Sequence, residues 1–328
     1  MRILHLSDVH VPTPSRALPW RAFGNKRAIA WLNYQLRRRR HFTAAAAKLQ
    51  ALAGQLDALG VDAVLCTGDY TTFGTLPELE TAHAAVQALT TRRLGFVTLP
   101  GNHDLYLADS CREAHFERCF GAHLQSDLPA FCTDGAWPLV RLWGDEVAVI
   151  ALNSAVPRPA VWRSDGEIAA SQLDALRQLL TLPALQRRFV LIATHHAPCL
   201  ADGRPDKRLH GLQNAQALLE ACTPVRHGLI AHGHVHRGYR VELPQLPIPI
   251  FGAGSATQAG RERLWRYDIE GGMLKAAARG RWHARARTYV FEDDDLEPGA
   301  RPGLPRRCRG LPLRFAQRAL AVGEGAMP

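Results

Sequence analysis

Five short apolar runs in this chain end in side chains able to bind a metal ion, and no other feature limits the fold as much. The runs at 2–6, 62–67 and 95–99 lead into Ser7-Asp8-Val9-His10, Gly68-Asp69 and Pro100-Gly101-Asn102-His103-Asp104. The runs at 188–194 and 228–231 lead into His195-His196 and His232-Gly233-His234-Val235-His236. Runs of this length read as buried strands. Amphipathic helical patterns at 43–59, with Thr43 as N-cap, and at 76–90 separate the first three, which gives β-α-β-α-β. Open α/β sheets bind ligands beyond the carboxyl ends of their strands, where these clusters collect. A single Gly-Asn-His-Asp would carry little weight, because turns favour Gly, Asn and Asp. Five clusters together carry more.

Carboxylate, amide and imidazole donors without thiolate suit Mn, Fe, Co, Zn or Ni and not a structural thiolate zinc site. Asp-x-His and His-x-His are expected to place two side chains on one side of an extended segment, where the period is two. The donors are too many for one ion. They suit two ions about 3.5–4 Å apart that share a carboxylate.

The ordered motifs Asp8-Val9-His10, Gly68-Asp69, Gly101-Asn102-His103-Asp104, His195 and Gly233-His234-Val235-His236 resemble the calcineurin-like metallophosphoesterase superfamily. The resemblance spans 8–236 and implies an α/β (α+β) fold, a four-layer α-β-β-α sandwich of two mixed β-sheets. It implies two divalent ions, manganese first in expectation, with iron, zinc, cobalt and nickel as alternatives. It assigns Asp8, His10 and His236 to one ion, Asn102, His195 and His234 to the other, and Asp69 to both. It implies that His103 touches the phosphate and protonates the leaving group. Two dications would lower the pKa of a shared water to about 7 for attack on phosphorus. Positioning and charge neutralisation carry most of such a transfer.

Each residue also has a plainer reading. Asp8 and Asp69 fit turns or caps, and His10 fits a surface histidine. His195 and His196 compete for one ligand position. His195 is expected to take it, being first past the strand and three before Pro198. His196 then lines the pocket or packs. His232 is expected to support a ligand or to pack, and Asp104 to steady the turn or a ligand histidine. Asn153 and His210 read equally well as pocket residues or as a turn and a cap. Trp20, Trp31 and Trp162 rim the cleft or cover core. Helices are also expected at 109–120, 169–182 and 212–222.

One metallophosphoesterase domain is expected at 1–291, with an insertion at 11–42 and a Pro/Gly/Arg-rich tail at 292–328. The formal net charge of +10 is uneven. Residues 1–42 carry nine Lys/Arg against Asp8 alone, a net +8, and residues 297–328 carry six Arg and two Glu, a net +4. Residues 43–296 are left at −2, so a long nucleic-acid track is not expected. No apolar run reaches the ~18 residues that span a membrane, and Met1–Leu6 lacks a secretory pattern. Seven scattered cysteines without a CxxC pair read as reduced thiols in a cytoplasmic protein.

The motifs leave the substrate open, and the insertion is the best discriminator. A helix at about 26–40 would place Ile29, Leu32 and Leu36 on one face, widened by Ala28 and Trp31, and end in Arg37-Arg38-Arg39-Arg40. That pattern fits an anionic membrane surface, with a peripheral position on the membrane's inner face, met by residues 20–41. It suggests a nucleotide-linked lipid, as in the UDP-2,3-diacylglucosamine pyrophosphohydrolase branch, with Arg37 and Arg38 near the phosphates. The alternative is a soluble phosphodiesterase resembling the class III cyclic-nucleotide branch in His5-Leu6-Ser7-Asp8-Val9-His10 and Thr194-His195-His196-Ala197-Pro198. The insertion would then be a lid or dimer contact with its apolar face buried. A catalytically silent metal-binding regulatory module is the reading from another class, and the intact Asn102-His103 pair argues against it.

Overall fold

The apolar runs become the central strands of two mixed β-sheets. The computed structural model describes residues 1–13 and 25–294, and for Asn25 and Arg37 the backbone alone. Trp20, the first half of the insertion and the tail from 295 lie outside the described residues. Met1–Asp294 is one compact unit.

In chain order the strands are β1 (Arg2–Leu6), β2 (Ala63–Cys66), β3 (Gly95–Thr98), β4 (Leu139–Trp143), β5 (Val147–Ala151) and β6 (Phe189–Ala193). They continue as β7 (Gly228–His232), β8 (Tyr239–Val241), β9 (Ile250–Gly252), β10 (Leu264–Glu270), β11 (Met273–His283) and β12 (Thr288–Asp294). The first sheet has the order β12-β11-β10-β1-β2-β3, and the second β4-β5-β6-β7-β9-β8. The strands that deliver the polar clusters are parallel neighbours: β1, β2 and β3 in one sheet, β6 and β7 in the other. Parallel strands are buried on both faces, which is why their sequences are continuously apolar and do not alternate. The sheets meet through Phe251 of β9, whose ring lies edge-on to Trp265 and Tyr267 of β10, centroids 4.8 and 5.1 Å away. The Trp265 indole N–H donates to Gly252 O at 2.9 Å.

The described helices are α1 (Asn25–Asn33), α2 (Ala45–Ala53), α3 (Leu76–Thr90), α4 (Ala108–Arg112), α5 (His115–Phe120), α6 (Ala170–Thr181), α7 (Pro183–Gln186) and α8 (Ala215–Ala221). Helices α6 and α8 bury Leu173, Leu176, Leu179 and Leu218 against Val190, Ile192 and Ile230 of the second sheet. Each fully buried leucine contributes roughly 1.5–3 kcal/mol. Helix α3 starts at a Thr75–Glu78 capping box. The Glu78 carboxylate also accepts from the backbone N–H of Thr72 and Phe73, so the cap orders the loop that enters the site.

Three local expectations change. The expected 26–40 helix is continuous only to Asn33. A π-helical turn, Tyr34–Arg38, and a 3-10 turn, Arg39–His41, follow. Its apolar stripe does not face the body: Ile29 and Leu32 are each 54% exposed and Leu36 is 73% exposed. The opposite side packs inward, with Tyr34 in a small cluster with Phe42 and Phe73, and half-buried Trp31 against it. Thr43 is not an N-cap. The preceding 3-10 turn draws its hydroxyl to Arg40 O, and α2 opens at Ala45 without a side-chain cap. The expected 109–120 helix is two helices, broken at Ala114, whose φ is 50°. Trp162 is 74% exposed and covers no core.

Lys48 of α2 is buried and reaches across the fold. Its ammonium donates to Glu262 Oε1 at 2.6 Å and to Thr257 O at 2.7 Å. Breaking a buried ion pair by removing one partner costs about 3–5 kcal/mol, because the other charge stays uncompensated. Glu262→Ala is therefore expected to lower the unfolding free energy by about 3 kcal/mol in urea titration. The double variant Lys48→Met/Glu262→Leu should lose less than the single one. Equal or larger loss in the double variant would contradict this account.

Candidate metal centre

The backbone at the strand ends is strained where the polar side chains sit. Among the described residues, seven non-glycine residues have left-handed backbone, and five of them are Asp8 (φ 53°), His10 (37°), Asp69 (59°), His234 (71°) and His236 (51°). Each such conformation costs of order 1–3 kcal/mol and persists only where the surroundings enforce it. This corrects the expected extended geometry: the pleat does not align Asp8 with His10, or His234 with His236. Left-handed turns aim each side chain separately.

Hydrogen bonds hold these turns. Asp8 N–H donates to Gly68 O at 2.9 Å, and His10 N–H to Asp69 O at 3.1 Å. The Ser255 hydroxyl donates to Asp8 O and that of Thr257 to Val9 O, both at 2.6 Å. Glycine is required at two close approaches. A Cβ on Gly101 would lie 2.1 Å from Asp69 Oδ1, and one on Gly233 would lie 1.8 Å from Ser7 Oγ.

The histidine tautomers follow from their partners, since a carbonyl oxygen only accepts. Nδ1–H of His10 donates to Thr71 O at 2.6 Å, that of His195 to Thr67 O at 2.7 Å, and that of His103 to Thr72 O at 2.8 Å. His236 Nδ1 is held by the Gln258 side-chain carbonyl. His234 is reversed: Nε2–H donates to His210 O at 2.8 Å and Nδ1 is presented.

Lone pairs therefore converge in two places. His10 Nε2 and His236 Nε2 lie 3.3 Å apart, and His236 Nε2 is 3.0 Å from Asp8 Oδ1. Asp8 Oδ1 is buried without a hydrogen-bond donor. Such a group of acceptors can share only a proton or a cation. In the second place, Asn102 Oδ1 lies 3.1 Å from His195 Nε2 and 2.9 Å from His234 Nδ1. Asp69 stands between them, its Oδ2 3.7 Å from His10 Nε2 and 3.4 Å from His195 Nε2. Its other oxygen accepts the His103 N–H at 2.8 Å. Asp8, His10, Asp69 and His236 converge closely enough to hold one ion. Asn102, His195 and His234, with the same Asp69 oxygen, could hold a second. The donor chemistry fits two divalent ions.

The electrostatics point the same way. Burial pulls the Asp69 carboxyl upward, but His195 and His103 outweigh it and hold it well below the usual carboxylate range. Burial likewise opposes ionisation of Asp8, and His236 overcomes it. Burial disfavours a charged His195, yet Asp69 and Asp8 raise it to about 9. His10, desolvated, is pushed down to about 3 despite Asp69. Two buried carboxylates thus demand positive charge, which protons on His195 and His236 meet in the free site and metal ions can meet instead.

The other expected residues fall around this centre. Asp104 is fully buried and accepts from the N–H groups of Asp69, Tyr70 and Gly101, each at 2.9 Å. His196 has both ring nitrogens engaged, with Ser154 Oγ at 2.9 Å and Ser164 O at 3.1 Å, so it packs behind the centre. His232 donates from Nδ1 to Gly233 O and packs against Tyr239. Asn153 is a turn residue whose side-chain oxygen accepts from Ala155 N–H. His210 and Arg38 line the cavity over the centre, and the Arg37 side chain lies outside the described residues. Asp206, paired to His210 Nδ1 at 2.5 Å, also lines it, as do Arg237, Gln258 and Arg261. Of these, Arg237 could have been found as the neighbour of His236. Gln258 and Arg261 carry no local signal.

Residues 1–238 match the calcineurin-like phosphoesterase family. No curated protein matches the chain significantly. Among solved structures, a dimetal phosphatase from Danio rerio is similar over 85% of this chain and 94% of its own, at 16% identity and a TM-score of 0.58. A purple acid phosphatase from yellow lupin (Lupinus luteus) seeds is similar over 85% of this chain and 48% of its own, at 10% identity and a TM-score of 0.48. At such identity the first likeness shows the fold alone. With 238 residues matched to the family and its two-sheet fold observed, the chain belongs to the calcineurin-like phosphoesterases, which are metal-dependent hydrolases of phosphate esters.

Proposed function

We propose that this chain is a binuclear-metal hydrolase that cleaves a phosphodiester or pyrophosphate bond in an amphiphilic, nucleotide-linked substrate. The observation that carries the chemistry is Asp69 Oδ2, one carboxylate oxygen within 3.7 Å of His10 Nε2 and 3.4 Å of His195 Nε2. When bound, two dications, manganese in first expectation, supply the charge that polarises phosphate oxygens and activates water. Asp8, His10 and His236 would hold one ion and Asn102, His195 and His234 the other, with Asp69 placed to serve both. His103 serves the leaving group. Its Nδ1–H is committed to Thr72 O, so proton exchange with an ester oxygen runs through Nε2. Burial, against the pull of Asp69, lowers its pKa to about 4 in the free protein. An anionic ester beside it favours the imidazolium, which Thr72 O also stabilises. Asp104 acts by fixing the Asp69 turn.

The amphiphilic part rests on the insertion. Ile29, Leu32 and Leu36 form an exposed apolar stripe, and Arg38, Arg39 and Arg40 follow it. Cations near an anionic bilayer contribute about 1 kcal/mol each. A lid folded onto this chain's own body would bury the stripe; it is exposed on the single chain, which leaves it free for an outside surface, here proposed to be a lipid bilayer. Among the described residues no helix is long and apolar enough to cross a membrane. The proposed location is peripheral, on an anionic cytoplasmic face.

Removing metal with a chelator is expected to lower Tm and abolish hydrolysis of bis-p-nitrophenyl phosphate. Manganese, nickel or zinc should restore both, and failure of all three would sink the enzyme reading. Asp69→Asn should lose the metal-dependent rise in Tm together with turnover. His103→Ala should keep that rise and lose about 100-fold or more in kcat; full turnover in this variant would remove His103 from its role. Vesicles containing anionic lipid should co-sediment the wild type and not Ile29→Ser/Leu32→Ser/Leu36→Ser. Equal binding of the two would refute the membrane contact.

A further inference from the structure

The cavity over the metal centre has a volume of about 560 Å³. Its floor is Asp69, Asn102, His103 and His234, and its wall carries three guanidinium groups, Arg38, Arg237 and Arg261. These come from three separate segments: the π-helical turn of the insertion, the turn after β7, and the loop between β9 and β10. Backbone bonds join two of them. Ala259 N–H donates to His41 O at 2.9 Å, and Arg261 N–H donates to Gln258 O at 2.9 Å, so the Arg261 loop is anchored to the turn that presents Arg38.

Among the described residues, buried and half-buried arginines elsewhere are matched by carboxylates, as in Arg27–Asp109 at 2.5 Å, Arg163–Asp165 at 2.7 Å and Arg279–Asp294 at 2.6 Å, while exposed ones such as Arg208 and Arg226 are not. Among the described residues, Arg38, Arg237 and Arg261 make no ion pair. The acid on the same wall, Asp206, is already engaged by His210 Nδ1 and by the Lys207 N–H. Three like charges lining one cavity repel one another unless an anion enters between them. A diester monoanion bound at the metal centre has its charge met there, and leaves the arginines unmatched. Guanidinium groups suit phosphate because their paired N–H donors match its oxygens.

We infer that Arg38, Arg237 and Arg261 form a subsite for a second anionic group, so that the preferred substrate is a diphosphate diester and not a cyclic or simple monoanionic phosphodiester. The inference rests on the metal-centre reading and narrows it: water would add to the phosphorus over Asp69, the P–O–P bond would break, and the arginines would hold the neighbouring phosphate that leaves as a monoester. Arg237 and Arg261 are exposed at the wall and are the distal contacts.

The test compares UDP-glucose, a diphosphate diester, with bis-p-nitrophenyl phosphate, which carries one charge, in the manganese-loaded full chain. Wild type should favour UDP-glucose in kcat/KM at least tenfold. Arg237→Ala/Arg261→Ala should lose about 100-fold on UDP-glucose, mainly through KM, and several-fold at most on the monoanion, with Arg→Lys at both positions recovering part of the loss. Calorimetric titration provides a readout independent of turnover: UDP should bind at least tenfold tighter than UMP to wild type, and the gap should close in the double alanine variant. Equal losses on both substrates, or a gap that survives the substitutions, would overturn the subsite. Hydrolysis of bis-p-nitrophenyl phosphate without UDP-glucose would also overturn it while leaving the metal centre standing. Hydrolysis of neither would overturn both.

Discussion

The Asp104 carboxylate is the constraint on which the rest of this site depends. It is fully buried and gathers the N–H groups of Asp69, Tyr70, Thr71 and Gly101. Those donors belong to two turns, one after β2 and one after β3. Burial and the nearby Asp69 carboxylate push the Asp104 carboxyl up to about 7, against the pull of these donors. Its geometry nonetheless closes both turns around one group. Asp69 is thereby held in a left-handed conformation with one oxygen on the His103 N–H and the other directed between the two donor sets. The same turn points the carbonyls of Thr67, Thr71 and Thr72 at His195, His10 and His103. One buried carboxylate therefore helps set the tautomer of three histidines to which its own side chain makes no hydrogen bond.

Strain and charge in the centre reinforce each other. Five of the proposed ligands occupy backbone that L-residues disfavour by about 1–3 kcal/mol each. Their side chains add buried carboxylates and facing imidazole lone pairs, another unfavourable arrangement until a cation enters. A fold that tolerates both must be over-determined elsewhere, and it is. The parallel strands behind the turns are buried throughout, and the Lys48–Glu262 pair fixes the loop that braces Asp8. Ligands placed this way need little rearrangement to accept an ion, so binding energy is not spent on ordering them.

The sequence displayed the strand-end clusters because each follows an apolar run, and that pattern depends only on burial in parallel sheets. Helix α3 was legible to the residue because Thr75 and Glu78 cap it locally. The insertion was legible as a helix but not as a packed one. Its stripe at Ile29, Leu32 and Leu36 points outward, and packing falls to Tyr34, which lies off that stripe. The left-handed turns gave only a weak signal: Asp and His are enriched at φ > 0 among non-glycine residues, but they adopt it too seldom to be read from sequence. Asp104 was expected to steady its turn or a ligand histidine, and three of the four donors it gathers, Asp69, Tyr70 and Thr71, come from a segment that sequence distance does not connect. Gln258, which orients His236, is invisible for the same reason.

The insertion joins two requirements that would otherwise conflict. A cavity lined by unpaired arginines attracts polyanions of every kind, including nucleic acid, and cannot select among them by charge alone. The exposed Ile29, Leu32 and Leu36 and the cavity-lining Arg38 belong to one continuous segment, Asn25–His41. A ligand with a phosphate head and an apolar body satisfies both parts of that segment at once. A soluble polyanion satisfies only one. Selectivity in such an arrangement comes from the difference between the two, which is set by the apolar area covered when the segment meets a lipid surface. On the proposed reading the chemistry at Asp69 is general, and the insertion would decide which ester reaches it.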